Sequence, residues 1–190
     1  MPLPKEHIYT VDDIYSLPEG ERAELIDGQI YMMGAPTYLH QTLSMEISGT
    51  IREYIRRKKG TYQVLHAPLA VTLFADDKTY VEPDVAVICD KSKVTDKGIN
   101  GTPDFIAEIV SPSSRRMDYN TKNALYADAG VREYWIVDPD KKRTTVYRYE
   151  EDAAPMIVSF DQPLTVGIYG DLKINISQLL QDLGIMINYM

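Results

Sequence analysis

Three ionisable residues stand where the hydrophobic pattern calls for apolar ones. Glu108 interrupts the run Asp104-Phe-Ile-Ala-Glu-Ile-Val110, Asp84 follows Pro83 at the mouth of the run Val85-Ala-Val-Ile-Cys89, and Lys122 lies on a helical stretch. Ionised groups are rarely buried unless they are paired, protonated or bound to a metal. An aspartate, a glutamate and a lysine converging from neighbouring elements suit the hydrolysis of phosphodiesters. A hard ion such as Mg²⁺ takes one or two carboxylates and fills its remaining positions with water and phosphate oxygens. A lysine held off the metal can orient or help deprotonate the attacking water and offset charge growing on the phosphate.

The elements that must carry these groups follow from periodicity. In an extended run, residues 106, 108 and 110 share a face, so Glu108 sits between Ile106 and Val110. The run is apolar on both faces and reads as a central strand. A buried ion pair would also account for Glu108, and a strand-start or turn aspartate for Asp84. After Ser111-Pro-Ser-Ser114, a helix is expected from about Arg115 to Ala129, closed by Gly130. On it Asp118, Lys122, Leu125 and Ala129 fall at i, i+4, i+7 and i+11 and share one face. Leu125 and Ala129 aim that face at the sheet, and Lys122 with it. The alternative is an Asp118–Lys122 pair on a solvated edge, worth a few tenths of a kcal/mol.

The rest of the chain supplies the frame. Thr10 caps an expected helix over Val11 to Leu17. Arg22 to Ile26 and Gln29 to Met33 flank Asp27-Gly28, a two-residue hairpin signal. From Leu39 to Lys59 an amphipathic helix sets His40, Leu43, Ile47, Ile51, Tyr54 and Ile55 on one stripe. Strands are expected at Tyr62 to Ala67, Leu69 to Phe74, Glu133 to Val137 and Thr144 to Tyr149, with Pro68 marking a break and Asp138-Pro-Asp-Lys141 a turn. Lys91 to Gly101 reads as a polar loop, and a small helix near Ser177 to Leu183 follows short strands. Strands and helices interleave, so the fold class is α/β or α+β, a mixed sheet flanked by helices. A length of 190 residues fits one domain over 1–190, with a core at about 20–150 and the C-terminal strands and short helix at 151–190.

Composition narrows the setting. Apolar residues at 44% and charged residues at 25% suit a soluble globular chain. No run approaches the roughly 18 apolar residues of a membrane span, and Met1 to His7 lacks the apolar core of a leader peptide. Cys89 is the only cysteine; it reads as a small core hydrophobe, which excludes a disulfide within the chain and points to the cytoplasm. A net charge of −8 argues against strong non-specific nucleic-acid binding. Metal-binding carboxylates soften that argument. So do two basic clusters, Arg52 with Arg56-Arg-Lys-Lys59 and Lys141-Lys-Arg143, which by themselves read as a solvated face and a solvated turn.

Pro83-Asp84, Ala107-Glu-Ile-Val-Ser-Pro-Ser113, Asp118, Lys122, Tyr126, Gly130-Val-Arg-Glu-Tyr-Trp135 and Asp138-Pro139 together resemble the Uma-type restriction endonuclease family of the PD-(D/E)XK nuclease superfamily. The likeness extends upstream to Glu24-Leu-Ile-Asp-Gly28 and His40-Gln41. It implies a restriction-endonuclease-like core and a metal-dependent deoxyribonuclease, with Asp84 and Glu108 holding Mg²⁺ or Mn²⁺, DNA as substrate, and a homodimer to cut both strands. Glu24 is then the extra carboxylate near the first helix; a cross-strand pair with a basic residue is its alternative. The superfamily expects a lysine two residues after Glu108, where this chain has Val110, and Lys122 is the candidate replacement. His40 and Asp118 are possible accessory groups, although a histidine on an apolar stripe also reads as a hydrogen-bonded core residue. Glu82 shares a face with Asp84 without independent support, and Tyr126, Tyr134 and Trp135 read as core. Two other readings remain. One is a non-catalytic binding or regulatory module in which the charges form a structural network. The other is a small phosphoester hydrolase, for which the chain shows no glycine-rich phosphate cradle.

Overall fold

A six-stranded mixed sheet forms the middle layer, and two of its neighbouring strands position the candidate carboxylates. In a computed structural model that describes residues 7–74, 76–151 and 153–185, the sheet runs β11-β10-β9-β8-β5-β3. These strands are β3 (Gln63–His66), β5 (Val85–Ile88), β8 (Phe105–Ile109), β9 (Glu133–Asp138), β10 (Arg143–Arg148) and β11 (Met156–Ser159). Residues 1–6, which include most of the stretch read for a leader, lie outside the described residues, as do residues 186–190.

β8 is buried along all five residues because both of its faces are covered, as its unbroken apolar pattern requires. It pairs antiparallel with β5 and parallel with β9. A parallel pair needs a crossover, and the crossover here contains helix α3 (Lys122–Asp128), after α1 (Val11–Tyr15) and α2 (Tyr38–Arg57) in chain order. On one face of the sheet, Leu43, Ile47 and Ile51 of α2 pack with Val85, Val87, Phe105 and Trp135, joined by Leu180 of α4 (Ile176–Asp182). On the other face, Leu125 and Tyr126 of α3 pack with Ile88, Ile106, Tyr134 and Ile136. The same cluster takes in Ile26, from the hairpin of β1 (Ala23–Ile26) and β2 (Gln29–Met32). Asp27 and Gly28 both take positive φ, 50° and 73°, as a two-residue turn of this kind demands.

Four expectations need correction. Lys91 to Gly101 is not a plain loop: β6 (Val94–Thr95) turns back on β7 (Gly98–Asn100), and β7 pairs with β4 (Val71–Thr72). The strand expected over Leu69 to Phe74 shrinks to β4, because its partner β7 offers only a short ladder. The helix expected over Arg115 to Ala129 carries a π turn at Met117–Thr121 before α3. Cys89 is half-buried, at the end of β5, rather than in the core. A short hairpin, β12 (Leu164–Thr165) with β13 (Lys173–Ile174), completes the C-terminal part.

Candidate active site

β5 and β8 run antiparallel with Val85 opposite Ala107, so one step further the register sets Asp84 beside Glu108. Two hydrogen bonds tie them there: the Asp84 amide donates to Glu108 Oε2 at 3.3 Å, and the Ile109 amide donates to Asp84 Oδ2 at 2.7 Å. Glu108 shares its face with Ile106, the face covered by α3, and so meets that helix end-on. Lys122 Nζ reaches Glu108 Oε1 at 2.8 Å, and the Tyr126 hydroxyl donates to the same oxygen at 2.7 Å. Lys122 and Tyr126 are four residues apart, one above the other on the helix.

The β1–β2 hairpin brings in a third carboxylate. Glu24 Oε1 lies 2.8 Å from Lys122 Nζ and accepts the Glu82 amide at 3.0 Å. Asp118 Oδ1 stands 3.9 Å from the same ammonium, and its Oδ2 accepts from Ser114 Oγ at 2.6 Å. From the start of α2, His40 Nε2 comes within 3.1 Å of Asp84 Oδ2, while its Nδ1 is buried without a partner. All six groups, Glu24, His40, Asp84, Glu108, Asp118 and Lys122, line one cleft of about 820 Å³.

Burial decides the charge states. It would expel the proton from Lys122, but Glu108, Glu24 and Asp118 outweigh it and hold the ammonium well above its ordinary range. Burial raises Glu108 well above the usual carboxylate range against the pull of Lys122, and pushes Asp118 up to about 6. Burial also opposes charge on His40, yet the Asp84 hydrogen bond and the carboxylates around it leave the imidazole raised. Four carboxyl groups therefore surround one ammonium, Lys122, and one imidazole, His40, that takes up a proton more readily than a free one. A divalent cation would make up the difference, and where it is absent protons must.

The donor set suits a hard ion. Asp84 Oδ2 and both Glu108 oxygens are engaged by the protein, whereas Asp84 Oδ1 makes no hydrogen bond among the described residues. No group of three or more His, Cys, Asp and Glu among the described residues forms a metal cage, so a closed zinc-type site is not built here. Two carboxylates, with water and substrate oxygens completing the shell, match Mg²⁺ or Mn²⁺.

The family model described as "Putative restriction endonuclease", Uma2, matches residues 11–175. The chain belongs to the Uma2 family. Two relatives from Synechocystis sp. carry only the names of uncharacterized proteins. The chain is 26% identical to slr1290 over 141 residues, 74% of this chain and 73% of that protein. It is 27% identical to sll1609 over 121 residues, 62% and 67% of the two. Among solved structures, the fold is similar to the crystal structure of "a putative nuclease belonging to DUF820" from Anabaena variabilis. The TM-score is 0.72 at 22% identity, covering 90% of this chain and 97% of that one. The mixed sheet flanked by helices is therefore a fold shared with that structure. No helix among the described residues is long and apolar enough to cross a membrane.

Every candidate site residue expected from the sequence lines the cleft, His40 and Asp118 included. Val110 packs in the apolar cluster beside α3, and the lysine that meets Glu108 is Lys122, on the helix. Glu82 has a different partner: Arg22 Nε donates to it at 2.8 Å and the Tyr80 hydroxyl at 2.9 Å. The group that sequence reasoning missed is Tyr126. It is core by burial, but its hydroxyl is spent on Glu108, and its i+4 spacing from Lys122 was the available signal.

Proposed function

We propose that the protein is a divalent-metal-dependent endonuclease that hydrolyses DNA phosphodiester bonds with activated water. The observation that carries this reading is the convergence of Asp84, Glu108 and Lys122, with Glu24, on one cleft. Asp84 and Glu108 would hold Mg²⁺ or Mn²⁺, which supplies a Lewis acid for the phosphate and lowers the pKa of bound water. Water oxygen would form the new bond to phosphorus as one ester bond breaks, and the proton the water gives up passes through solvent to the departing alcohol oxygen. Lys122, held protonated by its carboxylate neighbours, is a fixed cation and donor rather than a base; it orients water and offsets charge on the phosphate. Tyr126 fixes the rotamer of Glu108, and His40 that of Asp84. A homodimer would present two such clefts to a duplex. The single unpaired cysteine accords with a cytoplasmic setting.

The test is incubation with supercoiled plasmid, single-stranded DNA, RNA, nucleotides and phosphomonoesters in Mg²⁺, Mn²⁺ or EDTA. DNA should be cut with either metal, not in EDTA, and not by folded Glu108→Gln. Failure to cut any polymer sinks the proposal and leaves the charges as a structural network. Turnover of phosphomonoesters alone would favour a small-ester hydrolase.

A further inference from the structure

Next to the acidic cleft lies a second, basic hollow of about 510 Å³, and the two share Pro112 and Ser113 as a common rim. Arg116, Lys141 and Arg143 line it. Arg116 comes from the turn of helix before the π segment, Lys141 from the turn between β9 and β10 and Arg143 from the start of β10, so the run Lys141-Lys-Arg143 alone does not account for their meeting. None of the three has a carboxylate partner among the described residues, and Arg143 Nε is buried with no hydrogen bond. The neighbouring acids are already committed: Arg115 pairs with both Asp138 and Asp140, and Asp138 also accepts from the Tyr119 hydroxyl. In a chain of net charge −8, three unpaired cations at one spot are a departure from the surface as a whole.

The π turn links the two hollows. Asp118 points its carboxylate to the cleft, whereas the next two residues, Tyr119 and Asn120, line the basic side. Lys141 Nζ sits 5.9 Å from the Tyr119 ring centroid, a flat surface beside a cation. Arginine forks match phosphate oxygens, and a polyanion crossing from one hollow to the other would lay one phosphate against Lys122 and its neighbours against Arg116, Lys141 and Arg143.

We infer that this basic hollow binds the phosphodiester backbone of the nucleic-acid strand next to the bond that is cut. The inference rests on the nuclease reading and adds where the strand runs. It also answers the objection raised by the net charge: binding is local, on one basic strip beside a carboxylate cluster.

The experiment measures anisotropy of labelled duplex and single-stranded oligonucleotides in EDTA, so that binding is separated from cleavage. The proteins are wild type, Arg116→Ala/Lys141→Ala/Arg143→Gln, and the surface-only Arg116→Ala/Lys141→Ala, each checked for its melting temperature. A control, Arg52→Ala/Arg56→Ala/Arg57→Ala, removes the same charge at the far end of α2. Each lost phosphate contact should lower the slope of log affinity against log salt by about 0.7 to 0.9, so the triple loses roughly 2.1 to 2.7 and the double roughly 1.4 to 1.8. Affinity at about 50 mM salt should fall by at least roughly ten-fold, and the control should match wild type. The inference is overturned if wild type binds no oligonucleotide, if the hollow variants bind like wild type, or if the control loses as much. It is also overturned if inorganic phosphate protects wild type alone while oligonucleotide binding is indifferent to the variants. Loss of binding in the variants of a protein that never cuts would retire the catalytic reading and, with it, the placement beside a cut bond, while the hollow stands as a backbone-binding site.

Discussion

Lys122→Met is the most informative single change, because methionine keeps most of the buried volume and removes only the charge. The ammonium has two carboxylates at 2.8 Å and a third at 3.9 Å, and its side chain is 5% exposed. Removing one partner of a buried ion pair costs about 3–5 kcal/mol, since the carboxylates left behind have neither water nor a counter-charge. The loss should depend on pH. At about pH 8 the orphaned Glu108, whose pKa burial already raises, must stay charged or take up a proton from a dilute supply. At about pH 5.5 protonation substitutes for the ammonium, and the penalty should shrink by at least ~1.4 kcal/mol, one pKa unit's worth. Urea unfolding followed by circular dichroism, with EDTA present, reads both values. A cycle with Glu108→Gln should show coupling of at least ~1.5 kcal/mol, because the two groups share one network. A variant within ~1 kcal/mol of wild type at pH 8, or a cycle that is additive within ~0.5 kcal/mol, refutes the reasoning.

Three further outcomes are expected. In metal-free protein Glu108, Asp118 and His40 are all raised by their surroundings, so the folded state holds protons that the unfolded chain has released. Stability should therefore decline as pH rises; for Asp118 alone the fall from about pH 3 to about pH 7 is ~3 kcal/mol, and Asp118→Asn should flatten the profile in chemical denaturation. Tyr126→Phe leaves one Glu108 oxygen with a single partner and should cost about 1 kcal/mol; if turnover is unchanged, the positioning role assigned to Tyr126 is wrong. Ile51→Ala, at a fully buried position between α2 and the sheet, should cost about 2–5 kcal/mol in stability; because that face lies away from the cleft, metal affinity of the folded variant should match wild type by calorimetry.

The parts of this arrangement that sequence showed are those tied to short periods. Glu108 stood out because a strand buried on both faces has no apolar reason to hold a glutamate. Lys122 was aimed inward by Leu125 and Ala129 on the same helix face. The placement of Asp84 opposite Glu108 was not legible, since antiparallel register between β5 and β8 depends on a 16-residue connection whose middle reads as polar loop. That connection instead folds into the β6–β7 hairpin, and Gly98, with φ 131°, was the local sign of its turn. The basic hollow was equally hidden: Lys141-Lys-Arg143 looked like a solvated turn until β9 and β10 carried it beside Arg116. The π turn has no sequence signal that period-3.6 reasoning can detect, yet it divides residues 118–120 between the two hollows.

Asp84 and Glu108 are expected to hold a divalent cation in the cleft. Crystals soaked in Mn²⁺ and measured at a wavelength where manganese scatters anomalously test that directly. The expected result is an anomalous peak within coordination distance of Asp84 and Glu108, absent from Asp84→Asn crystals soaked in parallel. A well-diffracting soaked crystal with no peak there, or with the Lys122–Glu108 and Lys122–Glu24 pairs intact and manganese bound elsewhere, would contradict it.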